Sequence, residues 1–454
     1  MRGNMKESYK RYSSFVEKNK ERIYSAIDYI WKHPEVGYKE WKTNAYLERE
    51  FENLGYTIKC AGDIPGFLAE FDTGRPGPKV GVMGELDALM CATHPEADKE
   101  TKAVHACGHL IQTAAMLGVA AAFKEKGAAD GLCGSIRFLA VPAEETIDLA
   151  FREGLVEQGV IQYMAGKIEF LRRGFFDGVD MAMMFHADTR EDVLFKFIDG
   201  CDGCITKHFE YKGVAAHAGG APHKGVNALY AASLGLQACN SLRETFQEKD
   251  YVRWHPIVTQ AGVAANAIPA VASLDSYVRA ATLDTMIATN KKINRAIAAS
   301  AAALGAHVTV TDKPGNLPFH SDVTMSKCIE HIITDMFGEG QIAYAGWDTQ
   351  SSDVGDISSL MPVVQHLCMG AVGTQHGEDY YIADQEKAAV NPAKVMTCLI
   401  YELLKDNGAF GRQVIENYTP LYQSKEEYFA AINKIAMQKE LVTYEGEEKA
   451  VLHF

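Results

Sequence analysis

Residues 80–88 read Val-Gly-Val-Met-Gly-Glu-Leu-Asp-Ala, a short apolar run that stops on two carboxylates. Runs this short, without polar alternation, mark strands buried on both faces. Three more runs follow the same pattern. Ile136 to Val141 leads into Pro142-Ala143-Glu144-Glu145, and Met181 to Phe185 ends at His186, with Asp188 beyond. Val363 to Met369 runs into Gly373-Thr374-Gln375-His376. Helical stretches such as Gln112 to Lys126 lie between the runs. The alternation predicts an α/β layer around a largely parallel sheet. Ligands of such sheets sit beyond the carboxyl ends of the strands, where all four runs deliver a metal-competent side chain.

The stretch His105-Ala106-Cys107-Gly108-His109 adds a thiol and imidazoles to that end. An extended segment points Cys107 and His109, two residues apart, the same way. Of the paired acids Glu144 and Glu145, one can bind metal while the other stays free as a base. The set suits a divalent ion that activates water. Singly, each residue has a plain reading: Cys107 as a small buried hydrophobe, the acids as a solvated turn. A structural explanation must account for four strand ends at once.

Tyr9 to Trp31 and Glu40 to Leu54 are expected as helices, joined by a turn at His33-Pro34-Glu35-Val36-Gly37 and closed by Gly55. Cys201 to Asp312 differs in texture. Strand patterns at Ile205 to Tyr211, Ala272 to Ala280 and His307 to Thr311 enclose alanine-rich helical patterns at Val226 to Thr245 and Leu283 to Leu304. This predicts a compact α+β domain over 201–312, inserted into a first domain of 1–200 and 313–454. The polar end, 411–454, is expected to be helical or partly mobile.

A chain of 454 residues exceeds one ordinary core. Its net charge of -14 argues against binding nucleic acid or an anionic membrane. No apolar run reaches the roughly 20 residues of a membrane span, and the polar start, MRGNMKESYKRYSSF, has no signal-peptide core. A cytoplasmic location is expected. The ten cysteines are scattered, unlike a disulfide framework. Cys201 and Cys204 form a lone C-x-x-C, read as a hinge running into a strand rather than a redox pair. The first strand-to-helix connection lacks G-x-G-x-x-G, which speaks against a nucleotide-binding oxidoreductase.

Together HPEVGYKEWKT, GELDAL, HACGH, PAEE, FHAD, KGVAAHAGGAPHKGVNAL, NAIPA, SSDVGDIS and GTQHG run in order from about residue 20 to 405. In these stretches the chain resembles the co-catalytic metallopeptidase and amidohydrolase family of aminoacylase, hippurate hydrolase and indole-acetyl-amino-acid hydrolase, nearest its aminobenzoyl-glutamate hydrolase members. The resemblance implies a metallopeptidase-type α/β catalytic domain with an inserted ferredoxin-like lid and dimerisation domain. It implies metal ligands at Cys107, His109, Glu145, His186 and His376, with Glu144 as general base. His217 would offer its ring to the reacting carbonyl from the lid, and Asn266 and Arg279 would hold substrate. Asp87 would support the metal site without binding metal.

One or two divalent ions are expected, zinc or manganese ahead of cobalt, together with a homodimer formed through the lid. The implied reaction is hydrolysis of an amide in a small N-acyl amino acid, an aminobenzoyl-glutamate-like conjugate or a dipeptide. Hydrolytic deamination of an arylamine at the same site and a non-catalytic binding subunit are the alternatives. Two departures stand out. Many relatives carry an acid and a histidine where this chain has Leu110 and Gln112, and Leu155 to Leu171 reads as an extra segment beside the site.

Overall fold

The computed structural model describes residues 5–446 and 449–454. The described residues divide into two compact units, those within Met1–Gly200, His320–Trp347 and Asp356–Tyr422 forming the first and those within Cys201–Phe319, Asp348–Gly355 and Gln423–Phe454 the second.

In the first unit the four apolar runs are adjacent strands of a nine-stranded mixed sheet. Ser135–Val141, Lys79–Glu85, Met181–Ala187 and Val363–Cys368 run parallel in that order. Phe67–Asp72 flanks them on one side and Phe195–Cys201 on the other, both antiparallel. Almost every residue of the four is buried, which is why they lack polar alternation.

Helix His109–Lys124 is buried all round except at Lys124, between the sheet and helices Lys20–Trp31 and Asn391–Leu404. It begins three residues before the expected start. Gly108 holds a left-handed φ of 93° there, and a Cβ on it would lie 2.4 Å from the Tyr380 hydroxyl. The expected helix over Tyr9 to Trp31 is two helices, Glu7–Lys18 and Lys20–Trp31. They part at Asn19, whose amide donates to the Phe15 carbonyl (2.9 Å) and to Glu125 (3.1 Å), a side-chain alternative to the helical ladder.

The second unit is a six-stranded sheet with Gly203–Lys212 between Val271–Ala280 and His307–Pro314, all antiparallel. Helices Ala228–Ser241 and Leu283–Ala303 pack together against it. The short strand Ile257–Gln260 pairs with Val271–Ala280 and completes the strand-helix-strand-strand-helix-strand order. Gln423–Phe454, read from sequence as part of the first domain, packs with this unit: Met437–Glu440 adds an edge strand to His307–Pro314. The expected helical or mobile end is thus helix Lys425–Asn433 followed by short strands; residues 447 and 448 lie outside the described residues. Among the described residues no helix is long and apolar enough to cross a membrane.

Candidate metal centre

The carboxyl ends of the parallel strands converge on one cluster. Lys79–Glu85 delivers Glu85 and, two residues on, Asp87. Ser135–Val141 delivers Glu144 and Glu145 past Ala143, which is held at a φ of 57°. His186 is the penultimate residue of Met181–Ala187. His376 sits at a φ of 64° in the turn beyond Val363–Cys368, and its N–H donates to the Ala106 carbonyl at 2.8 Å. Left-handed φ on non-glycine residues costs energy and persists where surrounding contacts enforce it.

Three sets of ligand atoms each lie within 4.8 Å of one another: Cys107, His109 and His186; Cys107, Glu145 and His376; Glu85, His109 and Glu144. Cys107 belongs to two of the sets and His109 to two. The rings are oriented from behind. His109 Nδ1 lies 3.1 Å from Asp87 Oδ1 and 3.0 Å from the Asp87 carbonyl, both acceptors, so Nδ1 carries the proton and the Nε2 lone pair is left for a metal. His186 Nδ1 donates to the Ala187 carbonyl (3.1 Å) and turns Nε2 to Cys107 Sγ at 3.5 Å. Asp87 also accepts the Glu145 N–H at 2.8 Å, so one carboxylate braces the first residue of a helix and a residue beyond a strand end.

The donor set fits a divalent ion. His109 Nε2 and Glu145 Oε1 are buried without a hydrogen-bond partner; Glu85 lies 3.2 Å from the first and His376 Nε2 3.3 Å from the second. Burial pushes the Cys107 thiol far up, a penalty that a bound cation reverses. Burial would also raise Glu145, but His376 and His109 outweigh it and hold that carboxyl at about 2. Thiolate, imidazole and carboxylate donors together accommodate zinc or manganese.

Glu144 stands at the mouth of this cluster, its side chain 14% exposed and Oε2 3.8 Å from His109 Nε2. That leaves it in reach of water.

Several further residues hold the cluster in place. Glu40 is buried and accepts the Ala143 N–H (2.7 Å); burial and Asp87 hold its carboxyl well above the usual range. The buried Arg152 donates to the carbonyls of Glu145 and of Met164 (2.6 Å). Lys167 pairs with Glu85. Gln112 donates to Glu85 Oε2 at 2.8 Å, whereas Leu110 is simply core. Glu40 and Gln112 lie in or beside stretches already marked in the sequence, HPEVGYKEWKT and HACGH, whereas Arg152 and Lys167 carry no local signal.

His217, Asn266 and Arg279 lie in the second unit. The exposed His217 accepts the N–H groups of Gly219 (3.2 Å) and Gly220 (2.9 Å) on Nδ1, so a neutral ring carries its proton on Nε2. The Asn266 carbonyl accepts the Ala218 N–H at 2.9 Å beside it. Arg279 donates to the Thr349 carbonyl at 3.3 Å, and its Nε is buried without a partner.

Residues 202–313 match the model of the peptidase dimerisation domain of the M20 family. The chain is 29% identical over 284 residues to one of the subunits of the p-aminobenzoyl-glutamate hydrolase of Escherichia coli, a match spanning 61% of this chain and 54% of that protein. It is 26% identical over 396 residues to the mouse Xaa-Arg dipeptidase, spanning 84% of each. Over 202–313 the chain thus carries an M20-type peptidase dimerisation domain, and the relatives it is similar to are named hydrolases. Its fold is that of a dinuclear metal-binding M20 peptidase from Bacillus subtilis, with a TM-score of 0.65 at 20% identity over 86% of this chain and 99% of the other. The chain thus spans about half the length of the first relative and most of the second.

Proposed function

We propose that the protein is a metal-dependent hydrolase that cleaves the amide bond of a small N-acyl amino acid, an aminobenzoyl-glutamate-like conjugate or a dipeptide. The observation that carries this is the sharing of Cys107 by two three-residue donor sets, with the paired acid Glu144 alongside. Cys107, His109 and His186 would hold one divalent ion, and Cys107, Glu145 and His376 a second. Zinc or manganese suits these donors best, with cobalt an acceptable substitute. When bound, such ions lower the pKa of water from about 16 toward 7 and offset the charge that develops on the carbonyl oxygen.

The remaining work falls to the chain. Asp87 keeps the proton of His109 on Nδ1, and Glu40 and Arg152 fix the backbone on either side of Glu144 and Glu145. Glu144 takes a proton from the attacking water and returns it to the nitrogen of the departing amine. His217, protonated on Nε2, donates to the carbonyl oxygen as it gains charge. Arg279 and Asn266 would hold the carboxylate or carbonyl of the substrate. The dimerisation-domain match supports assembly through the second unit, and we read the assembly as a homodimer in the cytoplasm.

The test is a turnover screen of metal-reconstituted protein against N-acyl amino acids, dipeptides and aminobenzoyl-glutamate. Release of free amino acid from one of these classes is expected. Ammonia release from an arylamine, with no amide cleavage, would favour deamination at the same site. No turnover of any class would favour a non-catalytic binding role.

A further inference from the structure

The segment that reads as extra in sequence, Leu155 to Leu171, belongs to an ordered lobe over 149–172 against the metal centre. It carries helices Leu149–Glu157 and Gly166–Arg172 and two wholly buried cations, Arg152 and Lys167. Gly166 lets the second helix press onto the strand end: a Cβ there would lie 1.5 Å from the Pro142 carbonyl oxygen. The approach brings Lys167 Nζ to Glu85 Oε1. The other oxygen, Oε2, accepts from Gln112 Nε2 at 2.8 Å and lies 3.2 Å from His109 Nε2. Glu85 therefore stands at metal-ligating distance from His109 and Glu144, yet donors engage both of its oxygens. Burying an ammonium is costly, and it sits here beside the carboxylate that flanks the proposed ions.

We propose that Lys167 is a positioning residue that withholds Glu85 from the metal, keeping a coordination position open for water and the substrate carbonyl. Catalytic sites depend on such an open position. Without the ammonium, Glu85 keeps the Gln112 hydrogen bond on Oε2 but loses the partner of Oε1, and a divalent ion becomes the best partner for that oxygen. The inference rests on the metal-binding reading above.

The experiment titrates metal-free protein with Co(II) in competition with a chelator and follows the visible Co(II) spectrum. Lys167→Met is expected to bind Co(II) at least about tenfold more tightly, or ~1.4 kcal/mol. Its absorption should weaken as coordination number rises, and kcat should fall. Lys167→Arg should behave as wild type, and Glu85→Gln/Lys167→Met should return affinity and spectrum toward wild type. Unchanged or weaker binding in folded Lys167→Met, with a wild-type spectrum, overturns the proposal. If Lys167→Met does not fold, Lys167→Gln, which removes the charge and shortens the side chain but stays polar, is read by the same criteria. Failure of both to fold makes the pair structural and also overturns it. A wild-type protein that binds no Co(II) instead refutes the metal reading itself.

Discussion

Replacing Asp87 with asparagine should weaken metal binding although it changes only one atom of the side chain. Asp87 Oδ1 faces the His109 Nδ1 proton at 3.1 Å, and Oδ2 accepts the Glu145 N–H at 2.8 Å. Both partners are donors, and an amide offers one oxygen and one NH₂. In either orientation the NH₂ meets a donor. If it faces His109, the ring is pushed toward the tautomer with its proton on Nε2, where the metal should bind. If it faces Glu145, the backbone of that ligand loses its brace. The Asp87 carbonyl, 3.0 Å from His109 Nδ1, still favours the right tautomer, so the loss is partial. Changes behind metal-bound histidines typically cost about 10–100-fold in affinity. The lower half of that range is expected here, about 1.4–2 kcal/mol. Chelator competition on metal-free Asp87→Asn protein, with folding checked by circular dichroism, measures it. Wild-type affinity in a folded variant would refute the bracing role.

Glu144→Gln should keep metal near wild-type content while kcat falls by about 10²–10⁴-fold or more, the usual loss of positioned acid–base catalysis; metal loss as severe as in Glu145→Gln would mean that the two acids share roles. His217→Ala should cut kcat while metal content and folding stay intact. If the histidine serves the neighbouring protomer, mixing that variant with Glu144→Gln protein should restore part of the activity; no recovery despite proven exchange would exclude a shared site. Stability of the metal-free protein should fall in acid through Glu85 and Glu145. Burial would raise both, but Lys167 and His109 for the first, and His376 and His109 for the second, hold them at about 2, against 4.5 for the free side chain. Folded values below unfolded ones mean that the stabilisation is complete above pH 4.5 and is lost as pH falls toward 2. Urea unfolding from pH 6 to pH 3 should show this slope, and Glu85→Gln should flatten part of it.

The parts of the fold visible in the sequence are those where burial alone sets residue type. The four parallel strands announce themselves because both faces are covered, and the long helices of the second unit because their alanine-rich faces pack on a sheet. Met437–Glu440 could not be read: as an edge strand of Met, Gln, Lys and Glu, with all but Met437 exposed, it has no apolar alternation, and only pairing with His307–Pro314 makes it a strand. The break at Asn19 depends on Glu125, distant in sequence. At the site, Cys107, His109, Glu144, Glu145, His186 and His376 were legible because each follows a strand end or sits in a short motif, and the structure gathers them. Lys167 was not, since its partner lies 82 residues away and nothing nearby in sequence marks a buried cation.

The central claim is that Cys107 is shared between two metal positions. Metal analysis of purified, reconstituted protein beside its Cys107→Ala variant tests it most directly. The account predicts two divalent ions per chain in the wild type, with metal content falling steeply and turnover abolished in folded Cys107→Ala. A variant that retains both ions and full activity would contradict it.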